Sequence, residues 1–400
     1  MNTLLPVAEA RARLLSLAAP LPPENLATAE ASGYFLTHHL KSRVTRPEGD
    51  TSSMDGFAVR AAEIEGPWRL VGESAAGRPL DRPLGSGEAA RISTGALLPQ
   101  GADAVVIKED CDCSGDRVEL SGSPPSPRTR YVRQAGSDFA IGDTVLEPGT
   151  RIGPAQIALA LSAGHTHLPV RRPPRIVLID SGDELCAAGC EPERGQIYAS
   201  NGPMLAAMLA PLPCEVERVG PLPDSIDALA NAIGAASSAD IIVTSGGASV
   251  GEHDLVRPAL ENVGAKLDFW RVAVKPGKPL LVATQGKQVI LGLPGNPASA
   301  YVTAYLFLLP LVRHVLGALD PSPRVIPARL ESPLPKAGVR AEYLRAKWDG
   351  NTVAPVRTQD SGALAALAAA NALIVREPGD ASVEPGDTVF IHLLENGAIA

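Results

Sequence analysis

The segment from Ala239 to Asp254, ADIIVTSGGASVGEHD, constrains the fold of this chain most. Ile241, Ile242 and Val243 are β-branched and apolar in succession, the pattern of a strand buried on both faces in a parallel sheet. The strand runs straight into Gly246, Gly247 and Gly251, which let a backbone curl its N–H groups around an anion. Glycines also end strands for steric reasons alone, so the loop reads either as a phosphate cradle or as a tight turn. Asp254 would lie beside any bound phosphate, where a bare carboxylate repels it. Its natural role there is to hold a divalent cation such as Mg²⁺.

Composition limits the alternatives. The 400 residues are 45% hydrophobic but only 4% aromatic, enough for a large aliphatic core divided among several domains. The net charge of −8, from 44 acids and 36 bases without a basic run, argues against a nucleic-acid footprint. The N-terminus carries Glu9, Arg11 and Arg13 within its apolar pattern, which marks an amphipathic helix rather than a signal peptide. The nearest approach to a membrane span is residues 362–375, shorter than the roughly 20 residues needed and interrupted by Asn371. No membrane role is expected, and the expected compartment is the cytoplasm. Cys111, Cys113, Cys186, Cys190 and Cys214 form no CxxC pair and are expected as free thiols. His165 and His167 have no neighbouring carboxylate or third histidine and are expected to be structural.

From Arg175 to about Leu316 the pattern is α/β. Apolar strands RIVLID, CEVERV, ADIIVT and LDFWRVA alternate with helices expected over 203–210, 225–236 and 254–263, which implies a parallel sheet. A strand pair, PLLVAT and KQVILGL, leads into a long helix after Pro297. Residues 46–134 show short strands broken by Gly and Pro, as in an inserted β-rich domain, and 121–130 reads as an exposed loop. The N-terminal helix and residues 153–164 are expected to pack together in an elongated stalk. Two Gly-Asp turns before TVFIHLL indicate a small closed sheet at the C-terminus. The expected architecture is α/β multidomain: a mixed N-terminal region (1–45 and 135–170), the β-rich insertion (46–134), a central α/β domain (171–319) and a C-terminal β-barrel-like domain (320–400).

Ligands of such sheets collect at the carboxyl ends of the strands. Those positions hold Ser181, Gly182, Asp183 and Glu184 after the first strand, Asp224 after the second, and Ser245, the glycine turn, Ser249 and Asp254 after the third. VKPGKP adds Lys275 and Lys278 on a stiff proline frame, and LPGNP adds Pro294 and Pro297. Acids and lysines at one edge suit metal and phosphate chemistry. Singly, Asp183, Asp224 and Asp254 also suit helix caps, and for Asp224 spacing does not separate the two roles.

With these residues assembled, the chain resembles the molybdopterin molybdenumtransferase family, to which the E domain of gephyrin is related. The resemblance covers nearly the whole chain, through SSMDGFAV (52–59), ARISTGALLPQGADAVV (90–106), GSD (136–138), SGDEL (181–185), TSGGASVGEHD, VKPGKP and LPGNPASA. It implies an elongated homodimer whose cleft lies between the α/β domain of one subunit and the β-rich region of the other. It also implies insertion of molybdenum from molybdate into adenylylated molybdopterin with release of AMP. Asp55, Thr94 and Asp138 match family motif positions and so gain catalytic roles. From the residues alone, Asp55 and Thr94 read as a turn residue and a helix-cap candidate. Gly246 to Gly251 would cradle the pyrophosphate, Asp254 with Glu184 or Asp224 would position Mg²⁺, and Lys275 and Lys278 would bind oxyanion. The Arg128, Arg130 and Arg133 cluster would attract an anionic substrate. Expected partners are the adenylyltransferase that makes the substrate and the apo-molybdoenzymes that take the product. Three positions depart from the common pattern: Asp180 adds a carboxylate expected near the cation, Phe57 replaces a frequent tyrosine, and Ser137 replaces a frequent acid. An adenylyltransferase would resemble the α/β unit alone, and a scaffold like gephyrin's would not need these acids and lysines together.

Overall fold

The computed structural model describes residues 4–246 and 255–394. Its central sheet has six strands: β1 (Arg175–Ser181), β2 (Glu215–Leu222), β3 (Ile241–Ser245), β4 (Lys266–Trp270), β5 (Leu281–Gln285) and β6 (Gln288–Leu293). Their order is β2-β1-β3-β6-β5-β4. Strands β2, β1, β3 and β6 are mutually parallel, whereas β5 runs antiparallel to both β6 and β4. The sheet is therefore mixed rather than wholly parallel. Only Gly286 and Lys287 separate β5 from β6, and so short a link permits a hairpin but no crossover. Strand β4 nonetheless points the same way as β6, so its carboxyl end shares the edge reached by β1, β2 and β3.

Side-chain alternation explains how this sheet is buried on both faces. Ile176, Leu178, Ile241, Val243, Val289 and Leu291 join one apolar core; Val177, Ile179, Ile242 and Ile290 join the other. Helices α2 (Ile226–Ala235) and α3 (Val256–Asn262) cover the second face through Leu229, Ile233, Val256 and Leu260. Helix α1 (Asn201–Leu209) and the helical run Pro297–Val315 cover the first. That run is 19 residues long and apolar enough to match a membrane span, but 83% of its apolar window is buried within the fold. A π-helical turn at Ala304–Leu308 interrupts it just before Pro310, which has no N–H to donate. Residues 362–375, singled out above, instead contribute a short helix and a strand.

The N-terminal helix Val7–Ser16 buries Val7, Ala10 and Leu14 in the first-face core, against the run ending at Val315. The helix Pro154–Ser162 packs elsewhere, in a separate cluster with Leu36, Leu146, Ile152 and Leu168. The expected joint stalk of these two helices is thus not formed, because each finds a different apolar partner. Residues 23–27 pair with 167–171, and 40–41 with 144–146, which draws the chain together on either side of the insertion.

Inside the insertion, six short strands between Gly56 and Leu120 form one sheet around Phe57, Trp68, Val106 and Val118. The segment 121–130 has no strand or helix. At the C-terminus, Ile326–Leu330, Ala341–Trp348, Thr352–Pro355, Ala372–Arg376 and Thr388–Leu393 close on themselves. The two-residue strand Val274–Lys275 is added against Ala341 and Glu342, joining the KPGKP loop to this closed sheet. The α/β multidomain class, with a β-rich insertion and a barrel-like C-terminal sheet, is as expected.

Candidate active site

A cavity of about 340 Å³ opens at the carboxyl edge of β1, β3 and β6. Ser181, Glu184, Ser245, Gly246, Pro294 and Pro297 line it, so three loops separated in sequence meet there as the strand-end rule requires. Gly246 has φ +101°, and a Cβ on it would fall 2.2 Å from the Ser181 carbonyl oxygen. Only glycine brings the two loops this close. Gly247, Ser249, Gly251 and Asp254 lie outside the described residues.

The acids after β1 and β2 have separable tasks. Asp183 does not cap a following helix; its Oδ1 accepts the Asp224 N–H at 3.0 Å and ties the end of β2 to that of β1. Helix α2 is capped by Ser225, whose Oγ accepts from the Ala228 N–H at 3.3 Å. Asp224 is therefore spared the capping role that spacing left open. Glu184 faces the cavity, whereas Asp224 is not part of its lining. Gly182 lies directly beneath the Glu184 carboxylate. Among the described residues no three His, Cys, Asp or Glu side chains are placed to hold a metal, and all five cysteines are free thiols. The donors present suit Mg²⁺ in its usual mode, one or two carboxylates plus substrate phosphate oxygens.

Lysine placement follows from the strand Val274–Lys275. The Lys275 Nζ lies 3.0 Å from Glu342 Oε1 on the C-terminal sheet, and about half of its side chain remains exposed. The Lys278 carbonyl accepts from both Val272 and Leu280, at 3.1 Å each, which shapes the loop. Neither Lys275 nor Lys278 lines the cavity, which the KPGKP loop reaches through Pro279, whereas the 294–297 loop lines it directly. Asn296 Nδ2 donates to Ser361 Oγ at 3.0 Å, and the Ala298 N–H donates to the Ser361 carbonyl at 3.0 Å.

Asp55 and Thr94 come together in the insertion. They flank paired antiparallel strands with Gly56 opposite Ile92, so the start of one strand and the end of the other are adjacent. Asp55 Oδ1 accepts the Thr94 N–H at 2.8 Å and its hydroxyl at 3.0 Å. These bonds, the backbone one foremost, hold the Asp55 carboxyl below its ordinary value. Thr94 sits in a turn with no helix after it, so the helix-cap reading of that residue is corrected. Asp138 lies 3.8 Å from Arg46. None of Asp55, Thr94 and Asp138 lines the cavity of its own chain.

In the arginine cluster, Arg128 donates to the Ala61 carbonyl at 2.7 Å and Arg130 lies over the Tyr131 ring. His165 is buried and bonded to the Lys41 carbonyl at 2.7 Å, a structural role as expected. Asp180 lines the same cavity as Glu184, and both of its carboxylate oxygens meet the Gly202 N–H. It is buried against the Gly202 N–H, and burial raises its carboxyl above the ordinary range. Tyr198, Asn201 and Glu342 were not foreseen. Tyr198 and Asn201 follow an irregular stretch rather than a strand end, and Glu342 meets Lys275 from another sheet.

Family comparison covers most of the chain. Residues 5–164 match the MoeA N-terminal region (domain I and II), residues 177–314 a probable molybdopterin binding domain, and residues 327–394 the MoeA C-terminal region (domain IV). A molybdopterin molybdenumtransferase of Haemophilus influenzae is 34% identical, covering 98% of this chain and 100% of its own. One from Staphylococcus aureus strain MRSA252 is 32% identical, over 98% and 96%. A solved molybdopterin biosynthesis MoeA protein from Pyrococcus horikosii superposes with a TM-score of 0.80 at 28% identity, covering 98% and 99% of the two chains. With end-to-end matches of this kind, the chain belongs to the MoeA, or molybdopterin molybdenumtransferase, family.

Proposed function

We propose that this chain transfers molybdenum from molybdate to adenylylated molybdopterin, releasing AMP and leaving molybdenum cofactor. The observation that carries this reading is the convergence of the SGDEL block, Ser245 with Gly246, and the LPGNP block on one cavity, with the KPGKP loop fixed beside the same sheet edge. Relatives that match end to end carry the same activity in their names.

Each part of the chain has a task in that reaction. The backbone around Gly246, held against Ser181, begins an anion cradle for the phosphates. Ser181 and Ser245 offer hydroxyls to the bound substrate from the cavity wall. Lys275 keeps about half of its side chain exposed while Glu342 holds its ammonium, so it can also meet a molybdate or phosphate oxygen. Lys278, two residues past Pro276, is assigned the same oxyanion role. Glu184, with Asp224 and Asp254, is assigned to Mg²⁺, which when bound supplies divalent charge to the phosphate oxygens.

Asp55, Thr94 and Asp138 are assigned to the cavity of a second copy, in a homodimer with a shared cleft. That placement rests on the motif resemblance, with Asp55 and Thr94 held to each other within the insertion. The substrate would come from a molybdopterin adenylyltransferase and the product pass to apo-molybdoenzymes, in the cytoplasm, with no membrane or nucleic-acid partner. Incubating the protein with adenylylated molybdopterin, molybdate and Mg²⁺, then adding an apo-molybdoenzyme, tests the reading. Recovery of oxidoreductase activity that needs this protein supports it; equal recovery without the protein overturns it.

A further inference from the structure

Helix α1 begins without a side-chain cap of its own, since Ser200 at its N-cap makes no such bond. The donor in its first turn is met from another element. Both carboxylate oxygens of Asp180, at the end of β1, lie 3.1 Å from the Gly202 nitrogen, and Asp180 is only 8% exposed. The contact is close enough to specify its partner: a Cβ on residue 202 would fall 2.3 Å from Asp180 Oδ2.

Beside Gly202, Asn201 donates through Nδ2 to Ser245 Oγ and to the Gly295 carbonyl, each at 2.7 Å. A carbonyl can only accept, so the amide is fixed with its nitrogen toward these groups. Its Oδ1 is then buried without a partner among the described residues, a cost that this arrangement must carry. Asn201 does not hold such a position by itself. What anchors the first turn of α1 decides whether the amide stays. Asp180 also pairs in register with Ser245 across β1 and β3. Asp180, Gly202, Asn201 and Ser245 thus close a ring, with Gly295 attached, and the ring joins three walls of the cavity.

We propose that Asp180 is a positioning residue of the substrate cavity: by pinning the first turn of α1 it keeps Asn201 bridging β3 and the 294–297 loop at the spacing that takes the nucleotide part of the substrate. This rests on the cavity being the substrate's, as proposed above. A cap that served stability alone would alter melting without altering ligand affinity.

Calorimetric titration of the full chain with AMP and Mg²⁺ separates these roles, using wild type, Asp180→Ala, Asn201→Ala and the double variant, with thermal melts alongside. Each single change is expected to weaken AMP binding by about tenfold, and the double variant no further, because both break one ring. Asp180→Asn, which keeps an acceptor for the Gly202 N–H, is expected to recover at least half of the lost binding free energy. If Asp180→Ala does not fold, Asp180→Ser takes its place. AMP affinity unchanged at position 180, or losses that add in the double variant, would overturn the positioning role. A folded wild type that binds no AMP would overturn the assignment of the cavity itself, and the proposal with it.

Discussion

Lys275 and Glu342 lie 3.0 Å apart across the junction between the KPGKP loop and the C-terminal sheet. The strand pairing of Val274–Lys275 with Ala341 and Glu342 brings the two side chains together, so one carboxylate of the C-terminal sheet holds the lysine assigned above to the oxyanion. Because the lysine is 52% exposed, the pair contributes at most about 1 kcal/mol to stability. Its removal should be felt in catalysis instead. Glu342→Gln is expected to raise the KM for molybdate by about threefold to tenfold, with little change in melting temperature. Steady-state rates against molybdate concentration check this, and an unchanged KM would show that Lys275 needs no such partner.

A shared cleft makes a prediction that a single-chain site does not. Asp55→Ala and Glu184→Ala homodimers should each be inactive. Mixed by denaturation and refolding, half of the dimers are hybrids with one intact site of two, so roughly a quarter of wild-type activity should return. Persistent inactivity of a verified hybrid would place both residues in one site of the same chain.

Gly246→Ala forces a side chain into a positive-φ position against the Ser181 carbonyl. A loss of about 1–3 kcal/mol in stability is expected, together with loss of AMP binding as the loops part. Chemical denaturation and titration measure the two. A variant that binds AMP normally would separate the loop contact from the site.

His392 supplies a pH dependence. Buried beside Tyr343 and bonded to the Arg324 carbonyl at 2.9 Å, it is held below its ordinary value of 6.5, chiefly by burial. The folded chain therefore binds fewer protons than the unfolded one between that lowered value and 6.5. The stability linked to neutral His392 is complete above 6.5 and is lost as pH falls through the folded-state value. Melting curves between pH 7.5 and 5 should show an acid-side decline that His392→Gln reduces. An identical decline in the variant would assign it to other groups.

Much of this organisation was legible in local pattern. The β-branched run 241–243 did become a strand buried on both faces, and the residues after β1, β3 and β6 did meet at one cavity, because strand direction alone decides where such loops go. The antiparallel β5 was hidden because an apolar strand looks the same in either direction; only the brevity of the 286–287 link betrays it. The partner of the N-terminal helix was also hidden. Val7, Ala10 and Leu14 specify an apolar face, not which of two cores receives it. The Gly202 partner of Asp180 was hidden because it lies 22 residues away, beyond an irregular stretch. Asp183 and Asp224 were both capping candidates until Ser225 was seen to cap α2.

Asp254 lies outside the described residues, and its role rests on the motif. Asp254→Ala is expected to fold normally, by circular dichroism and melting, and to lose AMP release by a factor of about a hundred or more. Full activity in that variant would remove it from the site.

The most direct measurement is AMP release from adenylylated molybdopterin by the purified protein, with molybdate and Mg²⁺ each supplied or withheld. Release that requires both, with molybdenum recovered on the pterin product, is the predicted result. A folded protein that binds the nucleotide yet releases no AMP under any of the four conditions would contradict molybdenum transfer as the function.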